Sequence, residues 1–318
     1  MRVLVTGGAG FIGSHLAARL LQDNRVSSVR VLDNLATGSI ANMAAFKSNP
    51  TFEFIEGDIR DYETCLAACD CMDLITHQAA LGSVPRSIND PLTTNNVNIT
   101  GTLNIFTAAK EKKIKRIVYA ASSSTYGDHP GLPKQEDKIG KPLSPYAITK
   151  YVNELYAQVY ASLYGMEFIG LRYFNIFGPH QNPNGPYAAV IPLFAEALLK
   201  NKPPVINGDG SHSRDFTYVD NAVQANLLSL FTENENAINQ IYNIACGQQT
   251  SLQQLFEILK TEAGSTLNAI HGPDRKGDVK HSLADITKAK ELLGYHPDIS
   301  VAKGLQLTYQ WYKKQSIK

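Results

Sequence analysis

The chain has 318 residues, of which 43% are hydrophobic and 19% are charged, and its mean hydropathy is −0.19. That length suits one large domain or a large domain with a smaller appendage, and that composition excludes a disordered chain. Thirty basic residues against 29 acidic ones leave a net charge of +1, which excludes the strong positive field expected of a nucleic-acid-binding protein.

Segments typical of strands alternate with segments typical of helices through the first half of the chain. We predict strands at 3–6, 29–33, 52–56, 72–77, 116–121 and 168–173, and helices at 11–21, 94–112 and 146–164. This alternation is typical of right-handed β-α-β units, whose strands pair in parallel and whose helices cover both faces of the sheet. The predicted fold class is therefore α/β, with a doubly wound parallel sheet.

The pattern of the sequence changes beyond about residue 175. Clusters of Pro, Asn and Gly at 178–185 and 207–210 mark turns, and the apolar segments become shorter. We predict that residues 1–175 form the larger domain. Residues 176–318 are expected to form a smaller mixed α/β C-terminal substrate domain, interleaved with the first.

No part of the sequence indicates a metal site or a membrane segment. The four cysteines lack the doubled Cys-x-x-Cys spacing of a zinc site, and no uncharged stretch is apolar and unbroken enough to span a bilayer. The start carries neither the basic region nor the apolar run of a secretion signal. We therefore expect a cytoplasmic protein with reduced thiols, no metal and no membrane partner.

A glycine cluster follows the first predicted strand and opens the first predicted helix. The spacing of Gly7, Gly10 and Gly13 allows a tight turn, a close approach of backbone to a pyrophosphate, and close packing of helix on sheet. Asp33 ends the second predicted strand 20 residues beyond Gly13, where a carboxylate can bind an adenosine ribose. Asn34 follows where an NADP enzyme often carries Arg. These features predict a Rossmann-type domain that binds NAD.

Two later segments carry candidate catalytic groups. Ser122, Ser123 and Ser124 follow the fifth predicted strand, and Tyr146 and Lys150 lie four apart on one face of the third predicted helix. A tyrosine with its ordinary pKa near 10 is a poor base at pH 7, but a nearby ammonium and a nicotinamide cation favour its phenolate. A serine hydroxyl can steady the proton on the reacting oxygen. Each feature alone is typical of a turn or a helix start, whereas together, after a dinucleotide motif, they predict a catalytic site.

These motifs together resemble the extended short-chain dehydrogenase/reductases, over residues 1 to about 312. The resemblance rests on Thr6–Gly13, Asp33-Asn34, His77–Ala80, Ser122–Gly127, Tyr146-x-x-x-Lys150 and Leu171–Asn175. Within that superfamily the sequence is similar to the nucleotide-sugar 4-epimerases. Three stretches are most similar to bacterial UDP-N-acetylglucosamine 4-epimerases, namely Gly82–Ser87, Tyr126–Pro133 and Pro142–Tyr146.

The resemblance implies an NAD-dependent 4-epimerase that interconverts UDP-GlcNAc and UDP-GalNAc through a transient 4-keto sugar. It implies that Tyr146 is the base. Lys150 would lower the pKa of Tyr146 and bind the nicotinamide ribose. Ser122 would bond to the sugar 4-oxygen, with Ser123 and Ser124 as adjacent alternatives. The implied cofactor residues are Gly7, Gly10, Phe11, Ile12, Gly13, Asp33, Asn34, Thr37, Gly38, Asp58, Ile59, Gln78, Ala79, Ala80, Asn98, Tyr146, Lys150 and Tyr173. From the residues alone, Asp58 is equally well a loop carboxylate, and Asn98 has a plainer interpretation as a polar residue within its helix.

The implied substrate residues lie mostly in the C-terminal portion. They are Ser83, Ser122, Ser123, Ser124, Tyr146, Asn175, Ala189, Val190, Asn207, Arg214, Arg275, Asp278 and Ser282. Arg214 and Arg275 would hold the diphosphate, which suits two guanidinium groups, although either one alone is more often a surface ion pair. Ser282 stands where epimerases restricted to plain sugars carry a bulky aromatic residue, so we expect room for an N-acetyl group. The resemblance also implies a homodimer in which helices around 94–112 and 146–164 form a four-helix bundle.

Other functions compete with this one. A UDP-glucose or UDP-glucuronate 4-epimerase would use the same chemistry. A nucleotide-sugar 4,6-dehydratase needs an additional acid/base pair, which Ser123 and Ser124 cannot supply. A non-catalytic NAD-binding sensor or scaffold is opposed by the intact pair of Tyr146 and Lys150.

Overall fold

The computed structural model of the chain describes residues 1–183, 188–273 and 280–316. Its strands are β1 (Arg2–Thr6), β2 (Ser28–Asp33), β3 (Phe52–Glu56), β4 (Leu74–His77), β5 (Arg116–Ser122), β6 (Glu167–Tyr173), β7 (Ile176–Phe177), β8 (Val205–Asn207), β9 (Ser213–Arg214), β10 (Thr217–Tyr218), β11 (Gln240–Ile244), β12 (Thr250–Ser251) and β13 (Ile270–Gly272). Seven of them form a central sheet in the order β11-β6-β5-β4-β1-β2-β3, in which every neighbouring pair is parallel.

Helices of the chain cover both faces of this sheet. The described helices are α1 (Phe11–Leu20), α2 (Tyr62–Cys69), α3 (Val84–Asn89), α4 (Pro91–Asn95), α5 (Thr102–Glu111), α6 (Pro145–Tyr164), α7 (Val190–Leu199), α8 (Val219–Phe231), α9 (Leu252–Ala263), α10 (Thr287–Leu293) and α11 (Val301–Ser316). Of these, α1 and α8 pack on one face of the sheet and α2, α5 and α6 on the other. None of these described helices is long and apolar enough to cross a membrane.

The core alternates across the sheet because successive strand residues point to opposite faces. In β1, Val3 and Val5 pack in a buried cluster with Ala17 of α1 and Ala222 of α8. Leu4, between them, packs in a second cluster with residues of α2, α5 and α6. Strands that are apolar on both faces are expected of a parallel sheet covered on both sides.

A third cluster forms the core of the C-terminal portion. It joins α7, α9 and α11 through residues that include Phe194, Phe256 and Leu305. Three short strand pairs, β7–β10, β8–β13 and β9–β12, lie in the same portion. Cavities form where this portion meets the carboxyl ends of the parallel strands.

The structure confirms the predicted α/β fold with a doubly wound parallel sheet. Two elements differ from the sequence-based expectation. The seventh strand, β11, comes from residues beyond 175, so the two predicted portions share one sheet, and the boundary between them stays a prediction. The predicted helix at 94–112 is divided into α4, a π-helical turn at Asn96–Gly101, and α5.

Candidate active site

The glycine-rich turn between β1 and α1 forms part of the wall of a cavity. Gly7 has a φ of +71°, which side chains rarely adopt, and a Cβ there would lie 2.7 Å from the backbone nitrogen of Ala79. A Cβ on Gly13 would lie 2.1 Å from the carbonyl oxygen of Gly7. Glycine therefore lets the turn, α1 and the loop after β4 pack this closely, and the N-terminal residues of α1 line the cavity.

This first cavity has a volume of about 440 Å³. It opens at the carboxyl ends of the strands, next to the switch point between β1 and β4, where open α/β sheets bind ligands. It gathers Gly7, Gly10, Phe11, Ile12, Gly13, Asp33, Asn34, Thr37, Ile59, Gln78, Ala79, Ala80, Tyr146, Lys150 and Tyr173. Most of the cofactor residues expected from the sequence therefore lie around one cavity.

Asp33 marks the end of the cavity suited to adenosine. Its Oδ2 accepts the N–H of Ala9 at 2.9 Å, and its Oδ1 accepts the N–H of Leu35 at 2.8 Å. Burial raises the pKa of Asp33, and the backbone donors act in the opposite direction. Each carboxylate oxygen has a further lone pair, so the group can also accept the two hydroxyls of a ribose. A negative charge here opposes a 2′-phosphate, which fits NAD and not NADP.

Asp58 lies beside this end but outside the cavity wall. Its carboxylate accepts Nε and Nη2 of Arg60 at 3.0 and 2.6 Å and Nδ2 of Asn34 at 2.8 Å. The hydrogen bond from Arg60 lowers the pKa of Asp58 to about 2. In this structure Asp58 fixes Arg60 and Asn34, which themselves line the cavity. Its contact with adenine stays a prediction.

Two other expected cofactor residues lie behind the wall. Gly38 packs against Ala9, and a Cβ on it would lie 2.7 Å from that backbone. Asn98 is buried in the π-helical turn, where it accepts the N–H of Leu81 at 2.8 Å and donates to the Leu81 carbonyl and to Thr149 Oγ1, both at 3.1 Å. Asn98 therefore ties the cavity loop at Leu81 to α6, and its direct contact with a cofactor stays a prediction.

Ser122, Tyr146 and Lys150 meet at the other end of the cavity. Ser122 is the last residue of β5, and Tyr146 and Lys150 lie about one turn apart at the start of α6. The hydroxyl of Ser144 caps this helix by accepting the N–H of Ala147 at 3.1 Å. The cap fixes where the helix begins and so places the tyrosine beside the strand end.

Burial moves Tyr146 and Lys150 toward their neutral forms. It raises the pKa of Tyr146, against a hydrogen bond with Ser122 that lowers it, and it lowers the pKa of Lys150 to about 8. The Lys150 ammonium donates to the carbonyl of Ala120 at 2.8 Å, and the charge of Glu154 limits the fall in its pKa. The groups of the chain alone therefore do not favour the phenolate of Tyr146.

Within the serine triplet, Ser122 is the residue in the cavity wall. Its Oγ accepts the backbone N–H of Ser124 at 3.2 Å and the hydroxyl of Ser124 at 2.9 Å. Because this oxygen already accepts two hydrogen bonds, its own O–H is left to donate. Ser123 and Ser124 lie in the 3₁₀ turn that follows, outside the described wall, so the geometry favours Ser122.

A hydrogen-bond network holds Tyr173 in the wall. Its hydroxyl donates to Oε1 of Gln78 at 3.0 Å and accepts from Nδ2 of Asn226 at 2.7 Å. Gln78 in turn donates to Oδ1 of Asn226 at 3.1 Å and to Oγ1 of Thr76 at 2.9 Å. Burial raises the pKa of Tyr173 to about 12. This phenol therefore stays neutral and fixes the cavity wall to α8, the helix that carries Asn226.

A second cavity of about 250 Å³ adjoins the first, and Asn175 and Ile176 line both. It gathers five of the expected substrate residues from distant segments, namely Asn175, Ala189, Val190, Asn207 and Arg214. Nη1 of Arg214 donates to the carbonyls of Ser213 and Lys280, each at 3.0 Å. These bonds fix a permanent positive charge in the wall, which suits a phosphate group.

The remaining expected substrate residues are placed differently. Ser83 caps α3 with a φ of +93°, a strained backbone conformation outside both cavity walls. Ser282 also lies outside both walls, and its backbone N–H donates to the carbonyl of Ser213 at 3.1 Å. Arg275 and Asp278 lie outside the described residues, so their roles stay predictions.

Sequence reasoning missed part of the first cavity wall. The missed residues are Leu32, Ala36, Gly57, Arg60, Leu81, Gly82, Thr93, Val97, Ala120, Ala121 and Ile176. Most are small or apolar, and an apolar wall residue has the same sequence pattern as a core residue. Arg60 did have a signal, because it follows the third predicted strand on the edge where the adenosine end was expected.

Comparison with known proteins identifies the family of the chain. The profile of the NAD dependent epimerase/dehydratase family matches residues 3–245. The chain therefore belongs to this family, and its cofactor is NAD. Each feature of the first cavity described above fits that cofactor.

Three known proteins show the range of relatives. The chain is 40% identical over 317 residues to the putative UDP-glucose 4-epimerase of Methanocaldococcus jannaschii, covering 99% of each. The solved UDP-N-acetylglucosamine 4-epimerase of Methanobrevibacter ruminantium, in complex with UDP-N-acetylmuramic acid, is 39% identical with a TM-score of 0.93, covering 99% of this chain and 98% of that one. A UDP-glucuronic acid 4-epimerase of Bacillus cereus, solved with NAD and a fluorinated UDP-glucuronic acid, is 32% identical with a TM-score of 0.91, covering 99% and 100%. These relatives share the position of epimerisation and differ in the sugar.

Proposed function

We propose that the chain is a UDP-sugar 4-epimerase that interconverts UDP-GlcNAc and UDP-GalNAc. The observation that carries this proposal is the junction of the two cavities at Asn175 and Ile176. The first cavity carries the dinucleotide turn with Ser122 and Tyr146, and the second carries Arg214. A nucleotide sugar held by its diphosphate in the second cavity would extend its sugar toward Tyr146.

The chain's own residues divide the work of holding NAD. Asp33 would bind the adenosine ribose, the N-terminus of α1 would meet the pyrophosphate, and Lys150 would bind the nicotinamide ribose. When bound, NAD would supply a two-electron acceptor and a positive charge that favours the phenolate of Tyr146. The cradle fits because Gly7 and Gly13 leave the space that a Cβ would fill.

Tyr146 is the base in the proposed reaction. Its phenolate would take the proton of the sugar 4-hydroxyl while Ser122 donates a hydrogen bond to the 4-oxygen, which becomes a carbonyl oxygen. The hydrogen on C4 would leave with its electron pair to the bound two-electron acceptor, and it would return to the opposite face of C4 after the sugar has turned. The 4-keto sugar then turns in the cavity and presents its other face. Tyr146 returns the proton to the 4-oxygen. The sugar undergoes no net oxidation, so the overall reaction is an isomerisation at C4.

Arg214 holds the diphosphate in this proposal. Its guanidinium is fixed by two backbone carbonyls and borders the second cavity. Asn175, Asn207 and the start of α7 at Ala189 and Val190 surround the rest of that cavity. Charge-assisted hydrogen bonds from a fixed guanidinium suit a phosphate better than those of a mobile ammonium.

The N-acetyl sugar is supported by the resemblance, which puts the small Ser282 where epimerases restricted to plain sugars carry a bulky aromatic residue. Ser282 is half-buried, and its segment is bonded to Ser213 next to Arg214. The resemblance to bacterial UDP-N-acetylglucosamine 4-epimerases and the 39% identity to a solved one point to the same sugar. UDP-glucose and UDP-glucuronate are the alternatives, since proteins named as 4-epimerases of each are also similar to this chain.

The test incubates the purified protein separately with UDP-GlcNAc, UDP-Glc and UDP-GlcA, without added NAD, and follows the sugars by NMR. We expect conversion mainly of UDP-GlcNAc to UDP-GalNAc. Tyr146→Phe should lower kcat by roughly 10²- to 10⁴-fold while the bound NAD is retained, and Tyr164→Phe, at the far end of the same helix, should not. Conversion mainly of another sugar would overturn the proposed substrate, and no conversion with NAD added would overturn the epimerase itself.

A bulky residue at position 282 tests the sugar choice directly. Ser282→Tyr should raise KM or lower kcat for UDP-GlcNAc selectively, because the larger ring would occupy the space of the N-acetyl group. Turnover of UDP-Glc should change little. An equal loss on both sugars would contradict the role of Ser282 in selectivity.

We also propose a homodimer formed by α6 and the helical stretch of α4 and α5. Three apolar residues on one face of α6 are exposed, namely Leu155, Val159 and Leu163, and Leu92 of α4 is 77% exposed. Light scattering after gel filtration should give twice the monomer mass. Val159→Glu with Leu163→Glu should give the monomer mass, and Ile270→Glu, at another exposed apolar residue, should not. A monomeric wild-type protein would contradict the dimer.

A further inference from the structure

Asp215 is a fully buried carboxylate with backbone partners. The residue is 0% exposed. Its Oδ1 accepts the N–H of Cys246 at 3.0 Å, and its Oδ2 accepts the N–H groups of Gly247 and Ala284 at 3.1 and 3.2 Å. Among the described residues Asp215 forms no salt bridge, since no nitrogen of a basic side chain lies within 4.0 Å of its carboxylate oxygens. Burying an unpaired charge is costly, so such a group calls for an explanation.

The position of Asp215 is unusual with respect to the second cavity. Both of its neighbours, Arg214 and Phe216, line that cavity. The carboxylate between them is fully buried and is absent from the cavity wall, so it points into the protein. The backbone carbonyl of Asp215 also accepts Nδ2 of Asn175 at 3.3 Å, and Asn175 lies where the two cavities join.

The donors to Asp215 come from two separate segments that border this region. Cys246 and Gly247 follow the end of β11, the last strand of the central sheet. Ala284 belongs to the segment 280–284, whose residue Lys280 accepts Nη1 of Arg214 at 3.0 Å through its carbonyl. One carboxylate therefore links the sheet end, the strand that carries the arginine, and the segment that anchors its guanidinium.

We infer that Asp215 is the positioning residue of the nucleotide site, holding Arg214 and Asn175 where they meet the diphosphate and nucleotide of the substrate. This inference rests on the proposed function, which assigns the second cavity to the UDP group. Asp215 touches neither substrate nor the reacting atoms. It acts on binding of the nucleotide and not on proton transfer at Tyr146.

The chemistry of the side chain gives the perturbation. An ionised carboxylate accepts at both oxygens, whereas the amide of Asn accepts at one oxygen and presents N–H groups in place of the other. Asp215→Asn therefore leaves at least one buried backbone N–H facing a donor. The segment at 246–247 or the segment at 284 must then move relative to residue 215. This shift would disturb Arg214 through the carbonyl of Lys280, and Asn175 through the backbone carbonyl of residue 215.

The experiment compares Asp215→Asn with the control Asp209→Asn. Asp209 is exposed, and its carboxylate accepts the N–H and hydroxyl of Ser211 at 2.9 and 2.6 Å. For each protein, calorimetry measures Kd for UDP, NMR measures kcat and KM for UDP-GlcNAc, and absorbance after denaturation measures bound NAD. For Asp215→Asn we expect at least tenfold weaker UDP binding and a matching rise in KM, with kcat within about threefold of wild type and NAD content unchanged. The control should match wild type.

Several outcomes would overturn the inference. Unchanged Kd and KM in Asp215→Asn would show that the carboxylate does not support the nucleotide site. If kcat and bound NAD both fall while Kd for UDP is unchanged, the carboxylate has a general structural role instead. If Asp215→Asn does not fold, Asp215→Glu, which keeps the charge and displaces it by one methylene, should show the same selective loss of UDP affinity. A wild-type protein that binds no UDP would overturn the proposed function together with this inference, whereas wild-type binding with unchanged variants overturns this inference alone.

Discussion

The helix that carries the proposed base is anchored to the sheet by one buried ion pair. Arg172 on β6 donates to Glu154 on α6 at 2.9 Å through Nε and at 2.8 Å through Nη2, and both side chains are only 3% exposed. Arg172 also donates to the carbonyl of Glu136 at 3.0 Å and lies 4.7 Å from the ring centre of Tyr126. The pair therefore combines charge, two-point geometry and burial.

Glu154→Gln keeps the shape of this contact and removes the charge that faces Arg172. Among the described residues the buried guanidinium then keeps only neutral hydrogen-bond partners, although the carboxylate of Glu136 still acts on it at longer range. Removing one member of a buried pair typically costs about 3–5 kcal/mol. Whole proteins are stable by only about 5–15 kcal/mol, so the variant should lose a large part of its free energy of unfolding. Glu196 on α7 and Lys200 just after it form a partly exposed ion pair at 2.7 Å, which gives the scale for a contact near the surface. Glu196→Gln should cost about 0.5 kcal/mol or less.

Urea unfolding of the protein without cofactor, followed by circular dichroism, measures both variants on one scale. Glu154→Gln should lower the midpoint several times more than Glu196→Gln does. The double variant Glu154→Leu with Arg172→Met should recover most of the loss, because it leaves no unpaired buried charge. If Glu154→Gln and Glu196→Gln differ by less than about 1 kcal/mol, the pair behaves as a surface pair and this reasoning is refuted.

Two more predictions concern the cofactor cavity. Burial lowers the pKa of Lys150 to about 8, from 10.5 in the unfolded chain. Between pH 8 and pH 10.5 the unfolded chain therefore binds more protons than the folded protein does. The free energy of unfolding of the cofactor-free protein should rise with pH over this range. The whole difference between the two pKa values corresponds to about 3 kcal/mol of stability. Lys150→Met should remove this part of the pH dependence, measured by urea unfolding. If stability still rises with pH in the same way in the variant, Lys150 is not a buried ammonium. Gly13→Ala places a Cβ 2.1 Å from the carbonyl oxygen of Gly7, so NAD binding measured by calorimetry should weaken at least tenfold. Gly165→Ala, at a helix end with nothing within 4 Å of the added Cβ, should bind NAD as wild type does, and equal affinities for all three proteins would contradict the packing argument.

Local chemistry made much of the candidate site predictable from the sequence. Gly7 and Gly13 are required by backbone contacts within one turn, and the spacing of Tyr146 and Lys150 is a property of any helix. The cavity gathers these residues because parallel strands end at one edge of a sheet. The choice of Ser122 within its triplet needed the structure, since it depends on the 3₁₀ turn that follows β5.

Features set by distant segments were not predictable. The strand β11 pairs with β6 across a long stretch of chain, and nothing in its local pattern fixes that partner. The resemblance named five residues of the second cavity, including Asn207 and Arg214, but no local pattern in the sequence indicates that their segments meet around one cavity. Asp215 carries no sequence signal beyond that of an ordinary acidic residue next to an arginine, because its function lies in donors more than 30 residues away along the chain.

Backbone partners hold three ionisable groups in or beside the two cavities. In the described residues Lys150, Asp33 and Asp215 bond to backbone carbonyl or N–H groups and form no salt bridge. Burial shifts the pKa of each toward the neutral form. Backbone partners do not titrate, so the geometry of the site persists while its charges remain open to a ligand that brings charge of its own. The buried pair of Glu154 and Arg172 lies one turn from Lys150, where it secures the helix while the Lys150 ammonium bonds to the carbonyl of Ala120.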